Sequence, residues 1–158
     1  MQKGDVVENF TLQDQDGRSV SLRDFASTPV VLFFYPRADT PGCTIEACGF
    51  RDSFEKLKAA GAVVLGISRD TVKAQKKFEQ KYDLNYPLLA DAEETVCRYF
   101  GVIKPKTMYG KLVSGVERTT YVIAPADAEG RQRILEVFEK VKPEGHAEAV
   151  LALLEKAS

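Results

Sequence analysis

The sequence predicts an α/β fold, a central mixed sheet flanked by helices, with a β-hairpin extension at the N-terminus. Three observations carry that expectation. Two apolar runs, Val30–Tyr35 (VVLFFY) and Ala62–Ser68 (AVVLGIS), are rich in β-branched residues and lack polar alternation, as strands buried on both faces do. Helical patterns separate these runs from one another and from later strands, the order that a parallel sheet covered on both sides requires. The chain of 158 residues, 44% hydrophobic and 28% charged, is long enough to bury roughly 70% of its unfolded surface without disulfide or metal staples. One domain spanning residues 1–158 is therefore expected.

The elements follow in order. FTLQDQDGRSVSL, residues 10–22, reads as the hairpin, two short runs around the favoured turn pair Asp16-Gly17. Pro36 ends the first buried strand. From Cys43 to about Ala60 the pattern is helical, with Ile45, Phe50, Phe54 and Leu57 as its apolar positions and Gly61 as its stop. The second buried strand is followed by a helix, TVKAQKKFEQKY, that Thr71 can cap. YPLLAD is a short strand, and AEETVCRYFG a short helix closed by Gly101. Residues 104–115 read as loop. Two strands, Thr119–Ala124 and Gln132–Phe138, then flank a polar turn, and GHAEAVLALLEKA closes the chain as an amphipathic helix. A terminal β-β-α after alternating strands and helices fits a thioredoxin-like fold.

Composition excludes several classes of function. A formal net charge of −1 leaves no electrostatic footprint for nucleic acid or an anionic membrane. No apolar stretch approaches the ~20 residues of a membrane span. MQKGDVVENF lacks the apolar core of an export signal, so the expected location is cytoplasmic, where thiols stay reduced. Three cysteines, an odd count, make a poor disulfide framework, and with a single histidine they make a poor zinc set. No cofactor is expected.

Cys43 and Cys48 stand five apart in DTPGCTIEAC, with Pro41-Gly42 before the first. A thiolate at Cys43 would face the unpaired N–H groups and positive dipole of a helix start. Its energetics call for more. A free thiol with pKa near 8.5 is only about 3% ionised at pH 7, and bringing it to roughly 6 takes about 3.4 kcal/mol. A helix terminus supplies about 0.3–1 kcal/mol, and at most ~2. A cation is therefore expected beside Cys43. Taken alone, a cysteine at this place is better explained as a small buried apolar residue; Pro41-Gly42 before it and Cys48 after it turn the balance toward chemistry.

FYPRADTPGCTIEACGFRD, residues 34–52, resembles the active-site segment of the peroxiredoxins, in particular their bacterioferritin comigratory protein or PrxQ-type branch. The Pro-x-x-x-Thr/Ser-x-x-Cys signature falls on Pro36, Thr40 and Cys43. GVERTTYVIAP supplies the family's arginine as Arg118, and the GD-x4-F-x-L-x-DQDG pattern from Gly4 to Gly17 and MYGK at 108–111 also match. The resemblance spans nearly the whole chain. It implies a peroxidase in which Cys43 is the peroxidatic nucleophile, Thr40 hydrogen-bonds peroxide and thiolate, Pro36 shields the sulfur, and Arg118 is the missing cation. It also implies that Cys48 is the resolving cysteine of an atypical two-cysteine member, with a thioredoxin-type dithiol as reductant, peroxide as substrate and a monomeric protein. Cys97 reads as a packing residue, with a resolving role as the alternative. His146 reads as a solvent-facing residue at a helix start. Two rivals share the thiol: a thiol-disulfide oxidoreductase, which would normally show Cys-x-x-Cys, and a peroxide sensor that passes oxidation to a partner.

Overall fold

The computed structural model describes residues 1–157. Among these residues a single eight-stranded mixed sheet forms the core of the molecule. Its strands are β1 (Val6–Val7), β2 (Thr11–Gln13), β3 (Ser19–Ser21), β4 (Val30–Phe34), β5 (Val63–Ser68), β6 (Leu88–Ala90), β9 (Thr119–Ile123) and β10 (Gln132–Phe138). Across the sheet they run β1-β10-β9-β4-β5-β6-β2-β3. β4, β5 and β6 are parallel; β9 and β10 add antiparallel strands on one side, and the β2–β3 hairpin extends the other.

The helices are α1 (Pro41–Asp52), α2 (Phe54–Ala59), α3 (Val72–Tyr82), α4 (Thr95–Phe100) and α5 (His146–Ala157), with a short 3-10 turn at Leu22–Phe25. Strand periodicity sorts them into layers. Val31, Phe33 and Tyr35 point to one face, where α1, α2, α3 and α5 bury Cys43, Ala47, Phe50, Leu57, Phe78 and Val150. Val30, Leu32 and Phe34 point to the other, where Leu22 and α4 with Val96, Cys97 and Phe100 cover them. Both faces of β4 are dry, which is why its sequence shows no polar alternation.

The β2–β3 hairpin pairs Leu12 with Val20, and its turn is fastened by the Asp14 side chain, which accepts from the amides of Asp16 and Arg18. α3 begins at its expected cap: the Thr71 hydroxyl accepts from the amide of Ala74 at 3.2 Å.

Two expectations need correction. The helix expected from Cys43 to Ala60 starts two residues earlier and breaks at Ser53 into α1 and α2. Its core face is also different: Ile45 is 45% exposed, while Glu46 and Ala47 are buried. Residues 104–115, expected as loop, form an antiparallel hairpin, β7 (Ile103–Met108) and β8 (Lys111–Val116), separate from the main sheet. Its two-residue turn, Tyr109-Gly110, holds φ of 53° and 75°, the doubly left-handed geometry that suits a hairpin and that Gly110 adopts freely. The strands were illegible because Lys104, Pro105, Lys106 and Thr107 are solvent-exposed and interrupt any apolar alternation.

Candidate active site

α1 begins at the C-terminal end of β4, the edge where parallel-sheet proteins assemble sites. Thr40 is its N-cap, with extended φ and ψ of −99° and 156°, and Pro41 starts it without wasting an amide donor. Cys43 is thus the third helical residue and is 1% exposed. The loop leading in is fastened from two sides. Asp70 accepts from the Ala38 amide at 2.8 Å, and Asp39, at a left-handed φ of 60°, is held by Lys81 and by the Tyr82 hydroxyl.

Arg118 arrives from the junction between β8 and β9. Its Nη1 donates to Cys43 Sγ at 3.4 Å and to Glu46 Oε1 at 2.9 Å. The guanidinium packs on the backbone of Gly42, where a Cβ would meet Nη2 at 2.9 Å; any other residue there would push the cation away from the helix start. The cation demanded by the thiolate energetics therefore stands at the sulfur. The Cys43–Glu46 spacing of three brings both side chains to one face of α1, toward Arg118.

The remaining expected residues are distributed as follows. Thr40 flanks Cys43, but its hydroxyl donates to the carbonyl of Arg37 at 2.8 Å, leaving the oxygen lone pairs as its available function. Pro36 is half-buried, directly after Tyr35 at the end of β4. Cys48 lies half-buried on the same unbroken helix as Cys43, unbonded; burial raises its thiol pKa, with Arg51 opposing. Cys97 is fully buried on the opposite face of the sheet. Burial and then the adjacent Asp91 carboxylate push its thiol well above the ordinary range, which disfavours the reactive thiolate.

His146 requires a correction. It is 4% exposed, not solvent-facing. Its ring sits edge-on against Phe50 and Phe138, and Nε2 shares a 2.7 Å hydrogen bond with the Thr120 hydroxyl. Burial, and then the charge of Arg118, lowers its pKa to about 4, so it is neutral at physiological pH. Nε2 lies 3.9 Å from Glu46 Oε2. Glu46 was not singled out from the sequence, though its position one turn after Cys43 was the available signal. Its carboxyl is pushed up to about 7, because burial outweighs the pull of Arg118.

Chemically, a nearly enclosed sulfur at a helix start, beside a guanidinium with further donors, can hold a thiolate and stabilise charge moving onto a departing oxygen.

Comparison with known proteins agrees with this chemistry. Residues 3–128 match the AhpC/TSA family model. The chain is 48% identical over 151 residues to the putative peroxiredoxin bcp of Coxiella burnetii, covering 96% of this chain and 97% of that one. It is 42% identical to peroxiredoxin Bcp of Escherichia coli, covering 99% and 97%. The solved bacterioferritin comigratory protein of Xanthomonas campestris, described in terms of its alkyl peroxide reduction activity, superposes with a TM-score of 0.86 at 40% identity over 94% of this chain and 91% of that one.

Proposed function

We propose, from the premise that the chain belongs to the AhpC/TSA family as a thiol peroxidase of the peroxiredoxin Bcp/PrxQ type, that Cys43 is its peroxidatic thiol and Cys48 its resolving thiol. The Cys43 thiolate attacks the O–O bond of hydrogen peroxide or an organic hydroperoxide. A sulfur–oxygen bond forms, the O–O bond breaks, and the departing oxygen leaves as water or alcohol once protonated. The Cys48 thiol then attacks the sulfur of the Cys43 sulfenic acid, releasing water and closing an intramolecular disulfide. Thioredoxin or a similar dithiol protein restores both thiols by exchange. Arg118 stabilises the thiolate and the peroxide oxygens, the Thr40 oxygen accepts from the peroxide, and Pro36 limits water at the sulfur. On this reading the protein works as a single-domain, cytoplasmic monomer, as the resemblance to the PrxQ-type branch and the unpaired cysteines suggest. No helix among the described residues is long and apolar enough to cross a membrane. The observation carrying this reading is the 3.4 Å contact of Arg118 Nη1 with a buried sulfur at a helix start.

Peroxide-dependent oxidation of NADPH through thioredoxin and thioredoxin reductase tests the enzyme reading. Catalytic turnover supports it, and one stoichiometric oxidation would favour a sensor. In the same assay Cys48→Ser is expected to react once at the parent rate, then accumulate sulfenic acid or over-oxidise. Normal thioredoxin-coupled turnover by this variant would assign resolution to another thiol or to the reductant itself.

Disulfide formation also demands a change of shape. Residues five apart in an α-helix have Cα atoms roughly 8.6 Å apart and about 140° around the axis from each other. A disulfide needs Cα atoms about 4.4–6.8 Å apart with facing Cβ vectors. With both cysteines inside α1, the bond requires that helix to unwind near Cys43 in each cycle. Gly49 weakens the segment by about 1 kcal/mol relative to alanine. Hydrogen exchange is expected to show residues 43–50 protected in the reduced protein and open in the oxidised one. Equal protection in the two states, with the 43–48 disulfide verified by mass spectrometry, would refute the unwinding.

A further inference from the structure

Two acids share one cation at this site. Cys43 Sγ and Glu46 Oε1 both accept from the same nitrogen of Arg118, so the two acidic atoms lie no more than about 6.3 Å apart. The Glu46 side chain is fully buried, and its other oxygen, Oε2, has no hydrogen-bond partner. The groups that face the carboxyl from the neighbouring elements carry no second positive charge. α5 presents His146, neutral. β9 presents Thr120, uncharged and bonded to His146. Tyr86, before β6, commits its hydroxyl proton to the Ala47 carbonyl at 2.7 Å. Among the described residues, Arg118 is the cation paired with the Glu46 carboxyl, at 2.9 Å. A thiolate and a carboxylate buried on a single guanidinium would carry a net negative charge out of water, which costs heavily in a low-dielectric interior.

We propose that Glu46 is the proton-exchange partner of Cys43: the carboxyl takes up a proton when the thiol ionises and releases it when the thiolate is consumed. The inference rests on the reading of Cys43 as the peroxide-reactive thiol. Written out, Cys43–SH and Glu46–COO⁻ become Cys43–S⁻ and Glu46–COOH, and the pair with Arg118 stays neutral. Attack on ROOH then gives Cys43–SOH and RO⁻. RO⁻ collects a proton to leave as ROH, while Glu46 gives one up and becomes the carboxylate that pairs with Arg118. The exchange is an equilibrium through solvent and needs no contact between the two groups. Glu46 thus acts through Arg118 as a positioning residue: when neutral, it leaves the guanidinium charge to the sulfur. The orphaned Oε2 is where the proton is carried, facing His146 Nε2 across 3.9 Å. The raised Glu46 pKa is in keeping with a carboxyl that gains and loses a proton near neutrality.

Proton stoichiometry reads this directly. Reduced protein in weak buffer at pH 7 is mixed with one equivalent of hydrogen peroxide beside a pH indicator, and its thiolate is measured by ultraviolet absorbance. Later capture of the sulfenic acid by Cys48 consumes no proton, so resolution does not disturb the count. With Cys43 ionised, the parent is expected to consume close to no proton per peroxide, whereas Glu46→Gln, nearly isosteric and still able to accept from Arg118, consumes one. The thiolate titration of Glu46→Gln is expected to lie about one pH unit lower, the scale of a nearby like charge removed. Equal proton consumption by the two proteins overturns the proposal, as does one proton consumed by a parent that is fully thiolate. The Cys43→Ser control separates the two levels: a thiolate step or peroxide reaction persisting in it would overturn the reading of Cys43 itself.

Discussion

Cys43→Ser is expected to lose peroxide turnover, by at least about 10³-fold, toward the rate without protein; removing a nucleophile in well-studied hydrolases costs on the order of 10⁶. The reason is ionisation rather than shape. Serine fills nearly the same volume in the first turn of α1, so Ala47 and Phe50 keep their packing against β4 and the variant should fold. Its hydroxyl, however, has a pKa so high that neither the helix terminus nor Arg118 can generate an alkoxide near neutral pH. The coupled assay, with thermal unfolding as the folding control, checks this. A folded serine variant with substantial turnover would remove Cys43 from the chemistry.

Arg118→Ala is expected to slow the reaction with peroxide by about 10²-fold or more and to move the thiolate titration to higher pH. Of the roughly 3.4 kcal/mol needed for a reactive thiolate, the helix start supplies at most ~2. A charge-assisted hydrogen bond, about 1.5–3 kcal/mol, covers the difference. In the proposed mechanism the guanidinium fork also holds the peroxide oxygens as charge moves onto them, so lysine, a point charge, should rescue only part of the rate. The variant also strips Glu46 of its counter-ion, and the sign of the stability effect follows. A carboxyl whose folded pKa lies above its unfolded value stabilises the fold while protonated, and loses that contribution as pH rises through the folded value, about 7 in the parent. Without Arg118 the folded value climbs further. The melting temperature of Arg118→Ala should therefore fall further below the parent's at pH 8 than at pH 5.5. An unchanged rate with an unchanged thiolate titration would place the cation elsewhere.

What could be read from the chain was what local physics writes into it. β4 and β5 were legible because burial on both faces leaves an uninterrupted apolar run. Thr71 and Gly101 marked helix ends through their own side-chain and backbone chemistry. Cys43 and Arg118 were legible as a resemblance, and the energetic shortfall at the thiol independently called for a cation. Glu46 and His146 were not, because their meaning is tertiary. Glutamate one turn into a helix looks like a solvated residue until α5 and β9 enclose it. A histidine after Gly145 looks exposed until Phe50 and Phe138 close on its ring. Ile45 misled in the opposite sense, an apolar residue left on the outer face while the buried stripe takes a carboxylate. The β7–β8 hairpin escaped for a related reason: with most of its residues in solvent, its order resides in backbone pairing and the Tyr109-Gly110 turn, neither of which leaves a hydrophobic signature.

The central claim is that peroxide oxidises the sulfur at the start of α1. It is tested most directly by trapping the first oxidation product in Cys48→Ser. Reduced protein receives one equivalent of hydrogen peroxide with a sulfenic-acid-specific nucleophile present, and the modified peptide is identified by mass spectrometry. The account predicts the adduct on Cys43, with Cys97 untouched in its dry site across the sheet. An adduct on Cys97, or peroxide consumed while Cys43 remains a free thiol, would contradict it.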